Sequence, residues 1–502
     1  MTPDDLSWDS TKPIDDEKLI KWFQKNYTKI SYLNFKVHRR YPSQIKKIKK
    51  EIADLKPGED LSHQKVRLLK IWEYLIGSAI VFLKLKDARE LHHDDEDYGV
   101  GNLSKFFKSF TDFETVFYGA DKHYRDHVSH MFKVFLLGEY LLVEKKIFPE
   151  ILICEDLLDK KFCITDAEKE AIWCITSLSH DLGYGMRLVP KINTKTRSML
   201  EKFDIFNIQE LGFPFPSTPF NEFVIMFISS DLREMSEKEI DSSKKKENKK
   251  IPLPEDRRKY LNHTQSKYFL KFSRAFDHFS HGVFSSILLV KNCIYFLESD
   301  FTLNPSKPLN QLDARNFLIR QTILRSIASH DCDEIYYLTL PQFPFLLRIM
   351  DEMQDWGRPG LSDLFKNKPE VDLYVEELDK THISYKCVYR DLPDKPMDEK
   401  DKEEFVFLFR EEFIRKCQIF RKILRSAVGG ELRDLELRFT IEDQISKPTT
   451  RQSTYSFIHI TPKDVFVTRD KKTISWHEFM EEVEQKNQER KRITDAINRY
   501  VL

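Results

Sequence analysis

Apolar positions recur at helical spacing through most of the first 360 residues. In KLIKWFQKNY, SQIKKIKKEIADL and HQKVRLLKIWEYLIGSAIVFLKLKDA they fall three and four apart, which predicts helices from about residue 15 to 115. PGED after Lys56 and HHDDEDYG after Leu91 interrupt them as polar breaks. The same period continues through HYRDHVSHMFKVFLLGEYLL, EAIWCITSLSHDLGYG, FDHFSHGVFSSILLVKNCIYFLE, FLIRQTILRSIASHD and FPFLLRIMDEMQDWG. Residues 116–360 therefore read as an all-helical domain.

Between about 190 and 265 this series is broken by FPFPSTPF and the lysine-rich SSKKKENKKIPLPEDRRK. A long insertion of this kind predicts a mobile surface loop or lid. After Pro359 the period changes. VDLYVEEL, THISYKCVYR, ELRDLELRFTIED and TYSFIHI carry β-favouring residues, and Leu435, Leu437, Phe439 and Ile441 alternate along one strand. DKEEFVFLFREEFIRKCQIFRKILRSAVGG between them reads as a long helix stopped by glycines, and Trp476 to Leu502 as another. The expected fold is mainly α: a helical N-terminal region (1–115), a helical catalytic domain (116–360) and a smaller C-terminal α+β domain (361–502).

Composition narrows the class. A chain of 502 residues exceeds one ordinary core, and 41% hydrophobic content with 39 Phe excludes disorder. Lys plus Arg and Asp plus Glu balance at 81 each, so no net field favours nucleic acid or an anionic membrane. Lys244 to Lys250 reads as a solvated charged loop. Seven scattered cysteines, with no CxxC pair, argue against a disulfide framework or a thiolate zinc site and fit a reducing cytosol. The start, MTPDDLSWDSTKPIDDEK, lacks the basic and apolar runs of a secretory signal. These features predict a soluble cytoplasmic protein with no membrane association and no nucleic-acid partner.

Candidate chemistry centres on Ser179-His180-Asp181-Leu182-Gly183, which follows the apolar run AIWCITSL. Neighbouring residues on a helix point about 100° apart, so His180 and Asp181 reach metal together only at a helix end or across two ions. Gly183 and Gly185 are expected to supply that ending. Upstream, His123, His127 and His130 lie along one helical face. Downstream, His281 opens the apolar run VFSSILLV, with Asp277 and His278 before it. His330 ends another apolar helix, with Asp331 beside it. Any one of these histidines alone fits a helix cap or a solvated face. Asp351 follows an apolar run, where an unpaired carboxylate is costly unless it meets a metal or a cation; Glu352 and Asp355 are expected to face solvent or to orient the liganding groups. The candidate ligands are His130, His180, Asp181, His281, His330 and Asp351, a set suited to iron, manganese, zinc or magnesium.

The order H…HD…H…H…D resembles the HD superfamily of metal-dependent phosphohydrolases, specifically its binuclear branch, over residues 116–360. His130-Met131-Phe132-Lys133-Val134 matches the H-x-x-x-V of its first helix, and His127 matches an upstream residue pointing into the pocket. The resemblance implies two divalent ions about 3.5–4 Å apart, bridged by Asp181, and hydrolysis of a phosphoester of a nucleotide or other small phosphorylated molecule. His127 or Arg125 would stabilise charge on the transferring group. Where many HD proteins continue HDxGK, this chain has Tyr184, so Arg125, Lys133 or Arg187 would take over phosphate contact. No GYP motif follows His330. Two other readings share the ligand set: a di-iron oxygenase of the same superfamily, and a nucleotide-sensing or protein-interaction module with a degenerate site. No Walker A loop, GxSxG elbow or dinucleotide-binding glycine pattern occurs.

Overall fold

A helix that is apolar on every side must be enclosed by others, and such helices form the middle of this chain. The computed structural model describes residues 7–34, 41–59, 61–86, 98–120, 126–153, 157–202, 219–240, 258–297, 307–332, 335, 342–354, 369–379, 381–391, 399–423, 436–445, 454–459, 465–469 and 472–485. His123, Arg125, the Phe213–Pro216 stretch, the Lys244–Lys250 run, Asp355 and Leu435 lie outside the described residues. The fold is mainly α, with a separate small sheet region near the C-terminus. Two compact units divide the chain: residues 1–8 with 15–366, and residues 9–14 with 367–502.

In the first unit the elements are α1 (Asp16–Asn26), α2 (Tyr41–Ala53), α3 (Lys65–Lys86), α4 (Val100–Ala120), α5 (His127–Lys145), α6 (Asp166–Ser179), α7 (Tyr184–Glu201), α8 (Pro219–Ile228), β1 (Ser230–Glu234), β2 (Tyr260–Thr264), α9 (Ser266–Asp277), α10 (His281–Asn292), α11 (Gln311–His330) and α12 (Phe343–Met353). Every residue of α5 from His127 to Leu142 is buried, as is every residue of α6 from Glu168 onward. Thr165 and Glu168 form a capping box that starts α6. Gly138 of α5 lets α6 come close: a Cβ there would sit 2.0 Å from the Trp173 ring.

Helices on both sides of residue 115 pack into this unit. Trp72 of α3 stacks on Phe107 of α4 with ring centroids 4.4 Å apart, and its indole N–H donates to the Leu178 carbonyl of α6 at 2.7 Å. Trp22 of α1 meets Tyr140 of α5 edge-on at 5.5 Å.

The stretch from 190 to 265 differs from the expected loop wherever it is described. It supplies the rest of α7, the buried Val224, Ile225, Phe227 and Ile228 of α8, and an antiparallel ribbon pairing Ser230 with Thr264. Tyr260 of that ribbon is fully buried. The insertion is thus structural in these parts, and the unit is not all-helical, because β1 and β2 pair their backbone groups with each other.

In the second unit, β3 (Glu370–Leu378), β4 (His382–Arg390), β5 (Glu436–Asp443), β6 (Thr454–His459), β7 (Val465–Arg469) and β8 (Lys472–Ser475) form one sheet in that order. Neighbours are antiparallel except β4 and β5, which are parallel. The intervening α13 (Glu399–Ile423) provides the crossover that a parallel pair needs. Leu437, Phe439 and Ile441 are buried on one face of β5, where Phe413 and Phe420 of α13 contact Phe439 at 5.9 and 5.6 Å between centroids. Ile14 pairs with Leu373 of β3, which explains why residues 9–14 belong to this unit. Among the described residues, no helix is long and apolar enough to cross a membrane.

One group inside α5 carries a pH cost. Both carboxyl oxygens of Glu139 are buried without a hydrogen-bond partner, and burial, with Glu170 adding repulsion, raises its pKa well above 4.5. The folded chain therefore holds a proton that the unfolded chain has released, so stability is lost as pH rises from the unfolded value through the folded one. Glu139→Gln cannot ionise. It is expected to raise the thermal unfolding midpoint at pH 8, by a stabilisation of about 1–3 kcal/mol, with the gain shrinking towards pH 5. An equal shift at both pH values in circular-dichroism melts would refute this account.

Candidate metal centre

The ends of five helices converge on Asp181. α6 stops at Ser179, His180 caps it, and Asp181 lies in the turn that leads into α7. His127 and His130 sit in the first turn of α5, His281 opens α10, His330 ends α11, and Asp351 lies two residues from the end of α12. His130, His180, Asp181 and His330 are all but inaccessible, while the Asp351 side chain keeps 18% exposure.

The two oxygens of Asp181 face different histidines. Oδ2 lies 2.9 Å from His127 Nδ1, 3.4 Å from His180 Nε2 and 3.7 Å from His130 Nε2. Oδ1 lies 3.0 Å from His281 Nε2 and 3.5 Å from His330 Nε2. Asp351 Oδ1 closes the first group, 2.8 Å from His130 Nε2 and 3.9 Å from His180 Nε2. Three sets have ligand atoms close enough to share an ion: His130, His180 and Asp181; His180, His330 and Asp351; and Asp181, His281 and His330. All six expected ligands thus come together. His127 belongs to none of these sets and instead touches Asp181.

The tautomers show what this geometry suits. His180 Nδ1 donates to the Ser177 carbonyl at 2.7 Å, and His330 Nδ1 to the Ile327 carbonyl at 2.6 Å. A carbonyl only accepts, so both rings carry a proton on Nδ1 and turn Nε2 towards the centre. The Nε2 of His180 is buried, has no hydrogen-bond partner, and faces carboxylate oxygens. A lone pair aimed at carboxylates is repulsive unless a cation lies between them, and imidazole nitrogens with two carboxylates are donors that a divalent metal accepts. The residues present fit a metal ion.

Electrostatics agree with that assignment. Burial lowers the His180 pKa to about 3, so its imidazole is neutral. Asp181 is held well below the ordinary carboxylate range: burial opposes this, but the surrounding histidines, with His127 and His281 hydrogen-bonded to it, outweigh it. Asp351 is likewise held low, against burial, by His130 and His180. His281 differs: burial acts downward, but Asp331 and Asp181 push it up to about 9, so it must release a proton to act as a metal ligand.

Further residues hold the ligands in place. Asp331 Oδ2 accepts the His281 backbone N–H at 3.1 Å and lies 2.8 Å from its Nδ1, which turns Nε2 towards Asp181. Gln354 meets His130 Nδ1. The Ser285 hydroxyl donates to the His180 carbonyl at 2.6 Å and accepts the Gly183 N–H at 2.7 Å. Arg348 donates to the His330 carbonyl and pairs with the buried Glu352 at 3.2 Å, so Glu352 does not face solvent. Gln354 and Ser285 carry no signal in the sequence beyond spacing. Asp331 is adjacent to a recognised ligand, yet its contact is with His281, far away in the chain.

Gly183 plays a different part from the one expected. Its φ is −80°, ordinary helical backbone, so it does not end α6 by a left-handed turn. A Cβ there would lie 2.4 Å from the His281 carbonyl oxygen, so the glycine serves the close approach of α10. Gly282 does the same against α11, where a Cβ would lie 2.5 Å from the Ile327 oxygen.

At the rim, the Tyr184 ring lies against His127, tilted by 30° with centroids 3.7 Å apart, and 5.1 Å from His281. Arg187 is half exposed, 3.6 Å from Asp331. Lys133 is no candidate for phosphate contact, because it is fully buried and paired with Asp16 at 2.8 Å. His278 is exposed and takes no part in the metal-ligand sets. No family model, curated protein or solved structure matches this chain.

Replacing the residue that orients a metal-ligating histidine typically costs 10–100-fold in affinity. Asp331→Asn should therefore weaken zinc binding on the His281–His330 side by about that factor, read by calorimetric titration. Unchanged affinity would remove Asp331 from this role.

Proposed function

We propose that the chain is a binuclear metal-dependent phosphohydrolase resembling the HD superfamily, acting on a phosphoester of a nucleotide or other small phosphorylated molecule. The observation that carries this reading is the division of Asp181, one oxygen towards His130 and His180 and the other towards His281 and His330. A single ion would leave one of those faces unused.

His130, His180, Asp181 and Asp351 would hold one ion, and Asp181, His281 and His330 the other. Bound divalent ions supply Lewis acidity and water activation for hydrolysis near neutral pH. The chain's own groups do the remaining work. His127 fixes the Oδ2 side of Asp181 through the 2.9 Å contact at its Nδ1. Asp331 keeps His281 directed inward. Near-complete burial of the ligands keeps bulk water away from the centre, which strengthens each charge interaction within it. Arg187, half exposed and 3.6 Å from Asp331, would meet an anionic group of the substrate. Its guanidinium lies 6.0 Å from the Tyr184 ring.

Asp181→Ala is expected to abolish both tight metal binding and phosphoester hydrolysis. Metal analysis of the purified chain, followed by anaerobic phosphate release from a panel of mono- and diesters, tests the reading. Turnover that requires dioxygen, or no hydrolysis of any ester by the metal-loaded wild-type chain, would overturn it.

A further inference from the structure

The start of α5 is held by an arrangement larger than a helix cap requires. The first N–H groups of any helix lack intrahelical partners. Asp126 meets the usual need, its Oδ1 accepting the Ser129 N–H at 2.7 Å. A second buried carboxylate is added: Glu114 of α4, whose Oε1 accepts the His127 N–H at 3.0 Å. Both carboxylates are 1% exposed, a costly placement for two like charges. Lys65, the first residue of α3, lies between them, its Nζ 2.5 Å from Glu114 Oε2 and 2.7 Å from Asp126 Oδ2.

What this group holds is the turn bearing two residues of the centre. His127 occupies the first position of α5 and His130 the fourth, so they share a face. Both contact the centre from that turn, His127 at Asp181 Oδ2 and His130 at Asp351 Oδ1. His281 and His330 stand on α10 and α11 and have separate supports in Asp331 and the Ile327 carbonyl.

We propose that Lys65 is a positioning residue for one half of the metal centre: paired with Glu114 and Asp126, it fixes the first turn of α5 and so aims His127 and His130 at Asp181 and Asp351. This rests on reading the His–Asp cluster as a metal centre. The cation comes from the N-terminal helices, outside residues 116–360, and ties them to the chemistry of that region. Loss of its charge leaves two buried carboxylates repelling each other at the turn, and the disturbance falls on the His130 side alone.

Titration of the full chain with Co2+, followed by calorimetry and visible absorption, decides the matter. His130→Gln marks which absorption bands belong to the His130 side. The wild-type chain is expected to take up two equivalents. In Lys65→Met the His130-side equivalent should weaken by about tenfold or more, with the other unchanged, and Lys65→Arg should restore it. Glu114 provides a second route if Lys65→Met does not fold. Glu114→Ala, which removes the acceptor for the His127 N–H, should weaken the same equivalent, whereas Glu114→Gln, which keeps a carbonyl there, should not. Equal weakening of both equivalents, or no weakening in either Lys65→Met or Glu114→Ala, overturns the assignment. A wild-type chain that binds no cobalt overturns the metal reading, and this inference with it.

Discussion

A carboxylate removed from water must have both oxygens met by donors or cations, and Asp181 imposes that demand on the first unit. Four helices end or begin with a histidine beside one of its two oxygens, and a fifth brings Asp351 against His130 and His180. The consequences reach the backbone. Gly183 and Gly282 are glycines because helices bearing opposing ligands approach too closely for a Cβ. Ser285 ties the His180 carbonyl and the Gly183 N–H together across the turn that carries Asp181.

Helix ends suit such a centre for a further reason. The last carbonyls of a helix have no intrahelical donor. At two ends a histidine supplies one: His180 donates to the carbonyl three residues back, and so does His330. That bond fixes the tautomer and turns the remaining nitrogen inward. Both ends read Ser-His-Asp, at 179–181 and 329–331. The two aspartates have parted in role. Asp181 faces both groups of histidines, while Asp331 holds His281 by its ring and its backbone. One local device thus provides a candidate ligand twice, and its following carboxylate once between the two groups of histidines and once as a support.

The six residues that come together at Asp181 were legible as candidates because each lies at the edge of an apolar helical run, where a polar residue is conspicuous. The helices before residue 115, the histidine-bearing helical segments from 116 to 360 and strands β3 to β6 were legible from period and composition. What was not legible depends on distant pairing. β7 and β8 are five and four residues long, too short for alternation to stand out, and exist by hydrogen bonding to β6 and to each other. The ribbon of β1 and β2 sits within a polar, lysine-rich stretch whose local composition favours a loop. Lys133 looked like an available cation, but its partner Asp16 lies on α1. Asp331 and Gln354 act on rings far away in the chain, which no local pattern encodes.

The same dependence on distant pairing explains why the N-terminal helices share a unit with the ligand-bearing ones. α5 and α6 are buried on nearly all sides, so they require partners beyond each other. α1 and α3 provide them with Trp22, Phe23 and Trp72, whose rings and indole N–H groups reach α5 and α6. Burial on that scale leaves no water to satisfy stray charges, so a charge carried inward needs a designated partner, as Lys133 has Asp16, Glu168 has Arg315, and Glu114 with Asp126 has Lys65, while Glu139, without one, is pushed towards its neutral form. The packing that encloses the centre and the ion pairs that locate its helices are therefore one requirement, and helices bearing none of the six candidate ligands still determine where those ligands stand.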